Sequence, residues 1–471
     1  MNSLNPVRFA LHHLYLLQLE EYDLNRYMRF IFKTKGVPVD KPRKKIVWTS
    51  KAKAIFVLSF IIQIITAYST TSLFQLPLWT AVMCFVVFMY TAFFFLVIAN
   101  ALLLPLDLFL KKQVLAKAKE KISRFPNLTI IGIAGSYGKT TMKEAVYSVL
   151  SQKYSVLKTP DNINTPLGIS YVIEKKLDAN IQFLIVEMGE YTSGDIRDIC
   201  QIIKPHVGII TGINEAHLER MGSLQKTTET IFELAQWINS DGPLYLNADD
   251  KNIMRVYQLH VGKHSVELYK EPTQSVRYLE EGKGIEFRLA TTTRSYNLTT
   301  RLLGRYTLGT IMAAVMIGEK FDLSEKQILK AVELMIPHPH RLQLIEGNNN
   351  ILVIDDSYNG NPAGVQAAIE VLSRFTKRRK IYITPGLVET GLKNTEIHYN
   401  IGVQLAAVTD KVILIKNSAT PAIEKGLLAK GFSADDIIWF ESAQAAHIGL
   451  AKITRPNDII LFQNDWPDNY I

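Results

Sequence analysis

The chain has 471 residues, which is enough for two or three domains. Two cysteines, Cys84 and Cys200, are too few for a disulfide framework or a structural zinc ribbon, and they fit a reducing compartment. The net charge of +9 does not form a single nucleic-acid patch, because the basic residues gather before residue 54 and again after residue 110. No nucleic-acid partner is therefore expected.

Two apolar, uncharged runs lie between these basic clusters, from Ala54 to about Thr71 and from Leu78 to about Leu104. Each is close to the roughly 20 residues that span a bilayer, and a short polar turn separates them. Basic flanks on both outer sides place both ends in the cytoplasm. This pattern predicts a two-helix transmembrane hairpin over residues 51–112 of a multi-pass cell-membrane protein. A buried helical hairpin in a soluble protein is the alternative.

The segment before the hairpin, residues 1–50, is predicted to be a cytoplasmic N-terminal segment. Its residues 8–33 combine apolar and charged side chains in a pattern typical of an amphipathic helix. Such a helix either lies on the cytoplasmic face of the membrane or packs on the soluble domains. The sequence leaves both possibilities open.

After Lys112 the pattern changes to short β-branched runs that alternate with helical stretches. This alternation predicts α/β domains with a mostly parallel sheet and ligands at the carboxyl ends of the strands. We place one domain at 113–336 and a second at 337–471, with a small antiparallel insert at 263–303. The candidate strands are Leu128–Ala134, Phe183–Glu187, Val207–Thr211, Pro243–Asn247, Ser265–Tyr269, Gly284–Ala290, Ser295–Thr299, Ile351–Ile354, Lys380–Thr384, Lys411–Ile415, Asp436–Phe440 and Asp458–Phe462.

The most informative motif is a glycine-rich turn between an apolar run and a helical pattern. Gly135 and Gly138 allow backbone N–H groups to converge on an anion, and the start of the next helix adds partial positive charge. Lys139 can reach the terminal phosphates of a nucleotide, and Thr140 can offer its hydroxyl to Mg²⁺. The motif therefore predicts a nucleotide site.

Four other polar clusters stand out. Glu187 ends an apolar strand where a Mg²⁺ ligand would sit beside a triphosphate, and Asn214 and His217 follow the next strand. The other two clusters, Thr159–Gly168 and Asp355–Pro362, are polar loops. Each cluster alone is more often structural than functional, but their combination and order are specific.

The order G-S-Y-G-K-T-T, D-N-I-N-T-P-L-G, V-E-M-G-E, N-E-A-H-L-E, H-R-L and D-D-S-Y-N-G-N-P resembles the Mur ligases over about residues 125–471. The resemblance implies a central P-loop ATPase domain and a C-terminal Rossmann-like domain that closes over it. It also implies amide formation through an acyl phosphate, with ATP and Mg²⁺ as cofactors. Phosphoryl transfer of this kind requires neutralisation of spreading negative charge.

The resemblance also implies roles for individual residues. Lys139, Glu187 and His217 would be catalytic, and Thr140, Glu187 and His217 would hold metal ions. Asn164 and Thr165 would contact the carboxyl substrate, and Asn359 and Asn361 would shape the pocket of the amine substrate. Nucleotide contacts are implied at Gly135, Ser136, Tyr137, Gly138, Lys139, Thr140, Thr141, Asn214, Arg341 and Asp356.

The chain departs from the family pattern at several positions. Ile231 stands where most members have a lysine that is carbamylated to bridge metal ions, so Glu229 or Glu233 is a candidate substitute carboxylate. Gly304–Thr310 replaces G-x-H-N-x-x-N on the adenine side, and Phe462–Asp468 replaces a K-G-S ending. The apolar hairpin stands where the usual UDP-binding N-terminal domain would be.

The motifs most resemble the family members that add D-alanyl-D-alanine to a UDP-N-acetylmuramoyl peptide. The predicted function is therefore an ATP-dependent amide ligase of peptidoglycan precursor synthesis, with its catalytic domains in the cytoplasm. The acceptor is a UDP-linked or a lipid-linked muramoyl peptide, and the amine donor is D-Ala-D-Ala or another amine. A catalytically reduced nucleotide-binding scaffold is the alternative from a different class.

Overall fold

The computed structural model describes residues 6–34, 45–161, 163–214, 221–239, 241–273, 275–279, 282–358, 360–388 and 390–464. The chain divides into two units, one that runs to Gln113 and one that starts at Val114.

The helices are α1 Pro6–Leu19, α2 Leu24–Thr34, α3 Ser50–Leu73, α4 Trp79–Met89, α5 Ala92–Ser123, α6 Lys139–Leu150, α7 Pro166–Lys176, α8 Asp195–Ile203, α9 Leu224–Trp237, α10 Lys251–His260, α11 Tyr306–Lys320, α12 Glu325–Glu333, α13 Pro362–Ser373, α14 Asn394–Ala406, α15 Thr420–Ala429 and α16 Ala443–Ile453. The strands are β1 Thr129–Ala134, β2 Val156–Lys158, β3 Phe183–Glu187, β4 Val207–Ile210, β5 Leu244–Asn247, β6 Val266–Tyr269, β7 Arg277–Tyr278, β8 Ile285–Ala290, β9 Ser295–Thr300, β10 Gln343–Glu346, β11 Leu352–Asp356, β12 Lys380–Thr384, β13 Lys411–Ile415, β14 Ile437–Phe440 and β15 Ile459–Gln463.

The first unit begins with two helices where the sequence predicts one over residues 8–33. Glu21 and Tyr22 adopt positive φ values of 56° and 64° between α1 and α2, and this left-handed backbone ends the first helix. Apolar side chains of α1, such as Leu14 and Leu17, pack in one cluster with Ile55 of α3. The N-terminal helices are therefore part of the same unit as the apolar runs.

Two described helices, α3 and α5, are long and apolar enough to cross a membrane by length and composition. The second predicted apolar run is divided by a turn at Tyr90 and Thr91 into the short α4 and the long α5. On α3 the usual burial pattern is inverted, since Ser59 and Gln63 are buried while residues such as Ile64 and Ile65 are exposed.

The second unit contains the predicted α/β domains. Its first sheet has the order β2-β3-β1-β4-β5-β6, and all of its pairs are parallel. β1 lies between β3 and β4, so the carboxyl ends of these three strands meet at the point where the strand order changes direction. Ligands of doubly wound sheets bind at such a point.

Both faces of this sheet are covered. Ile131 and Ile133 of β1 point to one apolar cluster with α6 and α11, whereas Ile130 and Ala134 point to another with α8 and α9. The predicted antiparallel insert is correct for β8 and β9, which pair with each other, and β8 also pairs with β7 in a separate three-stranded antiparallel sheet. It is wrong for the run Ser265–Tyr269, because β6 pairs in parallel with β5 at the edge of the main sheet.

The C-terminal sheet has the order β10-β11-β15-β12-β13-β14. Its strands are parallel except β10, an antiparallel edge strand that the sequence analysis missed. The carboxyl ends of β11, β15 and β12 are neighbours, which brings the Asp355–Pro362 loop beside the chain's last described residues. The predicted α/β class is correct for both domains, and the C-terminal sheet is mixed.

Candidate active site

The glycine-rich turn after β1 has the conformation that a phosphate loop needs. Gly135 adopts a φ of +140°, and a Cβ at this position would lie 2.3 Å from Oγ1 of Thr211. Gly138 adopts a φ of +77° and serves as the N-cap of α6. Glycine is required at both positions because side chains there are strained or clash. The loop therefore leads directly into the N-terminus of α6, where an anion is favoured.

The phosphate loop is fixed to the segment after β4 by a buried polar network. The Tyr137 hydroxyl donates to Asp250 Oδ2 at 2.7 Å, and the backbone N–H of Ile213 donates to the same oxygen at 2.9 Å. Burial, followed by the contact with Asp250, raises the pKa of Tyr137, so the phenol stays protonated as the donor. Asn214 follows directly, so the structure brings this predicted residue to the same strand end.

Lys139, the predicted phosphate ligand, is engaged within the protein. Its Nζ lies 2.7 Å from Oε2 of Glu190 and also donates to the carbonyl oxygen of Gly135. Glu190 is only 2% exposed. The lysine is thus held over the loop by a buried carboxylate that the sequence analysis quoted in V-E-M-G-E without a role.

Glu187, at the end of β3, pairs with a second lysine of α6. Nζ of Lys143 lies 3.0 Å from Oε2 of Glu187 and donates to the carbonyl oxygen of Asp161 at 2.6 Å. Lys143 is fully buried and Glu187 is 3% exposed. Lys143 therefore joins α6, the end of β3 and the polar 159–168 loop. The sequence analysis missed it, although a lysine four residues after Lys139 lies on the same face of a helix.

The predicted carboxyl-substrate residues lie in the loop that Lys143 holds. Asn164 is buried, its carbonyl oxygen accepts from Gly189 N at 2.8 Å, and its Oδ1 accepts from the Tyr191 hydroxyl at 3.3 Å. Thr165 is the N-cap of α7 and accepts from Gly168 N. Both residues therefore have structural partners, and they lie beside the Glu187–Glu190 segment.

In the C-terminal domain, Asp356 ends β11 in a half-buried position. Its Oδ2 accepts from Gln463 Nε2 at 2.5 Å and its Oδ1 accepts from Leu342 N at 3.1 Å. Burial raises the pKa of this carboxyl group, and the two hydrogen bonds partly oppose the shift. Asn361, predicted for the amine pocket, caps α13 by accepting from Gly364 N at 2.9 Å. The carboxyl ends of β11 and β15 are thus tied together.

A cavity of about 260 Å³ lies between the two α/β domains, against α6. Thr141, Tyr306 and Arg341 are among the residues that line it. The guanidinium carbon of Arg341 lies 4.4 Å from the centroid of the Tyr358 ring, and its buried Nε has no hydrogen-bond partner among the described residues. Thr307, at a motif position where relatives have asparagine, donates its hydroxyl to Gly304 O at 2.7 Å. Its hydroxyl proton is therefore engaged by the backbone.

Two predicted site residues, His217 and Asn359, lie outside the described residues. Within the described part of the chain, no group of three or more His, Cys, Asp or Glu side chains could hold a metal ion. The donor types nevertheless fit Mg²⁺, which prefers carboxylate and hydroxyl oxygens. Thr140 is buried at the first turn of α6, and Oε2 of Glu187 accepts no well-directed hydrogen bond from the described residues.

Comparisons with known proteins agree with this geometry. Residues 133–318 match the Mur ligase middle domain, and residues 340–463 match the family described as Mur ligase, glutamate ligase domain. The UDP-N-acetylmuramoyl-tripeptide–D-alanyl-D-alanine ligase of Bacillus subtilis is 24% identical, over 71% of this chain and 72% of the relative. The ligase of the same name from Escherichia coli is 25% identical, over 61% of this chain and 64% of the relative.

Comparison with solved structures finds ligases of the same family. The MurF ligase of Thermotoga maritima, solved in complex with ADP, superimposes with a TM-score of 0.65 at 23% identity and covers 75% of this chain and 80% of that chain. An Acinetobacter baumannii MurF structure gives a TM-score of 0.65 at 23% identity, over 75% of this chain and 77% of that chain. Two matched domains and a shared fold lead to one conclusion. The chain belongs to the Mur ligase family, whose members are ATP-dependent ligases that form amide bonds.

Proposed function

We propose that this chain adds D-alanyl-D-alanine to a UDP-N-acetylmuramoyl peptide, in an ATP-dependent reaction that passes through an acyl phosphate. The observation that carries the proposal is the convergence of the phosphate loop, the buried Glu187 and the 159–168 loop at the switch point of one sheet. The relatives from B. subtilis and E. coli carry the name of this activity. The chain spans 64–72% of their lengths, so the substrates are part of the proposal.

Lys139 and the amides of the phosphate loop would bind the triphosphate. In the transfer of the γ-phosphoryl group to a substrate carboxylate, positive charge at this place neutralises the charge that spreads over the phosphoryl oxygens. Thr140 and Glu187, with His217 by family resemblance, are the residues that would hold Mg²⁺. When bound, this ion supplies further neutralisation of the phosphate charge.

The two substrates would approach from different segments. Asn164 and Thr165 lie on the loop next to Glu187, where the carboxylate must meet the γ-phosphate. Asn359 and Asn361 belong to the C-terminal domain, from which the amine would attack the acyl phosphate. Arg341 and Asp356 lie on that domain as well, and Arg341 lines the cavity that we assign to the nucleotide. Domain closure would thus bring both substrates together only when the nucleotide is present.

We also propose that the first unit anchors the enzyme in the membrane as a helical hairpin. Exposed apolar side chains on α3 and α5 and a buried polar stripe on α3 are the reverse of a water-soluble helix. Lys51 at the start of α3 lies 2.8 Å from Asp107 of α5, which follows the apolar run of that helix, so charged residues flank both apolar stretches on the same side. This arrangement supports a hairpin with both ends in the cytoplasm.

A lipid-linked muramoyl peptide is the second candidate acceptor, and the apolar helices favour it. An anchored enzyme meets a membrane-bound substrate at a raised effective concentration. The helices also precede the family match, in the part of the chain where a UDP-binding domain would be expected.

A ligation assay on the full-length protein in detergent separates these possibilities. It pairs UDP-linked or lipid-linked peptides with D-Ala-D-Ala, single amino acids or ammonia, and it follows phosphate release and product mass. We expect the UDP-linked peptide with D-Ala-D-Ala to give product. If only the lipid-linked peptide gives product, the acceptor is the lipid-linked peptide and not the UDP-linked one. Nucleotide binding without turnover in any pairing would indicate a scaffold. Release of the protein from membranes by alkaline carbonate would contradict the anchor.

A further inference from the structure

The structure shows what occupies the position of the family's carbamylated lysine. Ile231 of α9 is fully buried and packs in an apolar cluster with Phe232 and Leu234. This position supplies no oxygen ligand. A carbamylated lysine is in effect a long carboxylate, so the site would lack one negative ligand unless another residue provides it.

The two glutamates of α9 are engaged elsewhere. Glu229 is exposed and accepts from Gln225 Nε2 at 2.9 Å on its own helix. Glu233 accepts from Arg197 N at 2.9 Å, which caps the first turn of α8. The sequence-based candidates for the substitute carboxylate therefore have structural roles that account for them.

Glu190 is placed differently. It lies three residues after Glu187 in the loop that leaves β3, and its carboxylate is buried against Nζ of Lys139 at 2.7 Å. The loop is held in place because Gly189 N donates to Asn164 O and the Tyr191 hydroxyl donates to Asn164 Oδ1. A second buried carboxylate thus touches the residue that binds the terminal phosphates.

Nucleotide binding changes the charge balance around Glu190. A triphosphate at the loop would draw Nζ of Lys139 towards its own oxygens, and a buried carboxylate would then face a polyanion. Breaking a buried ion pair without replacement is strongly unfavourable. A divalent cation between the phosphate and the carboxylate satisfies both groups, because hard cations take oxygen ligands from each.

We propose that Glu190 exchanges partners in the reaction cycle. In the nucleotide-free state it pairs with Lys139, and in the nucleotide-bound state it becomes a carboxylate ligand of a divalent cation, in place of the ligand missing at Ile231. The inference rests on the proposed function, since it takes the loop to bind ATP.

The test measures binding of a fluorescent, non-hydrolysable ATP analogue to the full-length protein, first in EDTA and then with increasing Mg²⁺. Glu190→Gln removes the charge and keeps the shape. We expect this variant to bind the metal-free analogue at least threefold more tightly than the unmodified protein, because repulsion is lost and Lys139 is released. The gain in affinity on adding Mg²⁺ should fall at least tenfold.

Matched variants and a direct count of ions complete the design. In Glu229→Gln and Glu233→Gln, adding Mg²⁺ should increase the affinity for the ATP analogue as much as in the unmodified protein. Glu190→Asp should recover part of this increase because the negative charge is present. With Mn²⁺ as the probe, electron paramagnetic resonance should count one ion fewer in the nucleotide complex of Glu190→Gln. Amide exchange of each variant verifies that the loop is folded.

Failure of this inference can be told from failure of the proposed function. If Glu190→Gln keeps the full Mg²⁺ gain and ion count, or if a variant of α9 loses them, the role of Glu190 is refuted while ligation stands. If the unmodified protein binds no ATP analogue, or if Lys139→Met binds it equally well, the nucleotide site itself is refuted.

Discussion

Replacement of Lys143 by methionine tests whether this lysine positions the reactive segments. Methionine keeps the apolar stem and removes the charged nitrogen. The change leaves Glu187 as a buried carboxylate without its 3.0 Å partner, and it leaves the carbonyl oxygen of Asp161 without its 2.6 Å donor. The structural damage should therefore be local to the end of β3 and the 159–168 loop.

The size of the effect follows from the burial of both groups. Removing one partner of a buried ion pair costs about 3–5 kcal/mol. We therefore expect a loss of local stability of about 3 kcal/mol at pH 7, equal to roughly a 100-fold change in an opening equilibrium.

Amide hydrogen exchange of the full-length protein, read by mass spectrometry, measures this local opening. Peptides that cover 159–165 and 183–190 should exchange roughly 100-fold faster in Lys143→Met at pH 7 than in the unmodified protein. Peptides of the C-terminal sheet should be unchanged. Lys416→Met is the matched control, because Lys416 forms an exposed pair with Glu441 and such pairs contribute at most about 1 kcal/mol.

The double variant Lys143→Met/Glu187→Gln separates the charge from the packing. Neutralising Glu187 should restore a large part of the lost protection. The reasoning is refuted if the single variant exchanges within about threefold of the unmodified protein. It is also refuted if the double variant exchanges as fast as the single variant, because the cost would then not come from an unpaired carboxylate.

Three further predictions concern the nucleotide and the C-terminal domain. Asp356→Asn should raise the melting temperature at pH 7 but not at pH 3–4, and it should slow ligation. Burial raises the pKa of the Asp356 carboxyl group, so the folded protein loses stability as pH rises through that pKa and the group becomes charged. Equal melting shifts at both pH values would count against this. Arg341→Gln should weaken ATP-analogue binding about tenfold, since charged hydrogen bonds contribute about 1.5–3 kcal/mol. Arg374 stacks on Tyr278, and its replacement by glutamine should leave binding unchanged. Because Ile231 cannot be carbamylated, the ligation rate should be the same in carbon-dioxide-free buffer and with added bicarbonate, and a strong dependence on bicarbonate would reveal a modified lysine elsewhere.

Most of the α/β fold could be predicted because its strands are short apolar runs between helical patterns. Phe183–Glu187, Lys380–Thr384 and Lys411–Ile415 have the predicted limits. The edge strands β6 and β10 could not be placed in the same way. An edge strand is buried on fewer sides, so its residues alternate, and alternation alone does not say whether its neighbour is parallel or antiparallel.

The site could be predicted only as far as its motifs are local. Gly135, Lys139 and Glu187 follow from the strand–loop–helix pattern. The spacing of Lys139 and Lys143 places both on one face of α6, but the sequence does not say which glutamate at the end of β3 each lysine meets. The caps at Thr165 and Asn361 were likewise hidden, because an N-cap and a substrate contact require the same short polar side chains.

The pairs Lys139–Glu190 and Lys143–Glu187 place two buried carboxylates beside α6, which bears on the apolar residue at position 231. Both lysines lie on one face of α6, and both glutamates lie on the segment that leaves β3. A negative ligand that comes from this segment needs no modified side chain on α9. Ile231 is then free to pack in the apolar core beneath the sheet. If Glu190 binds the cation as we propose, the apolar Ile231 on α9 and the buried carboxylate beside Lys139 belong to one arrangement, in which the negative ligand comes from a strand end and not from a helix.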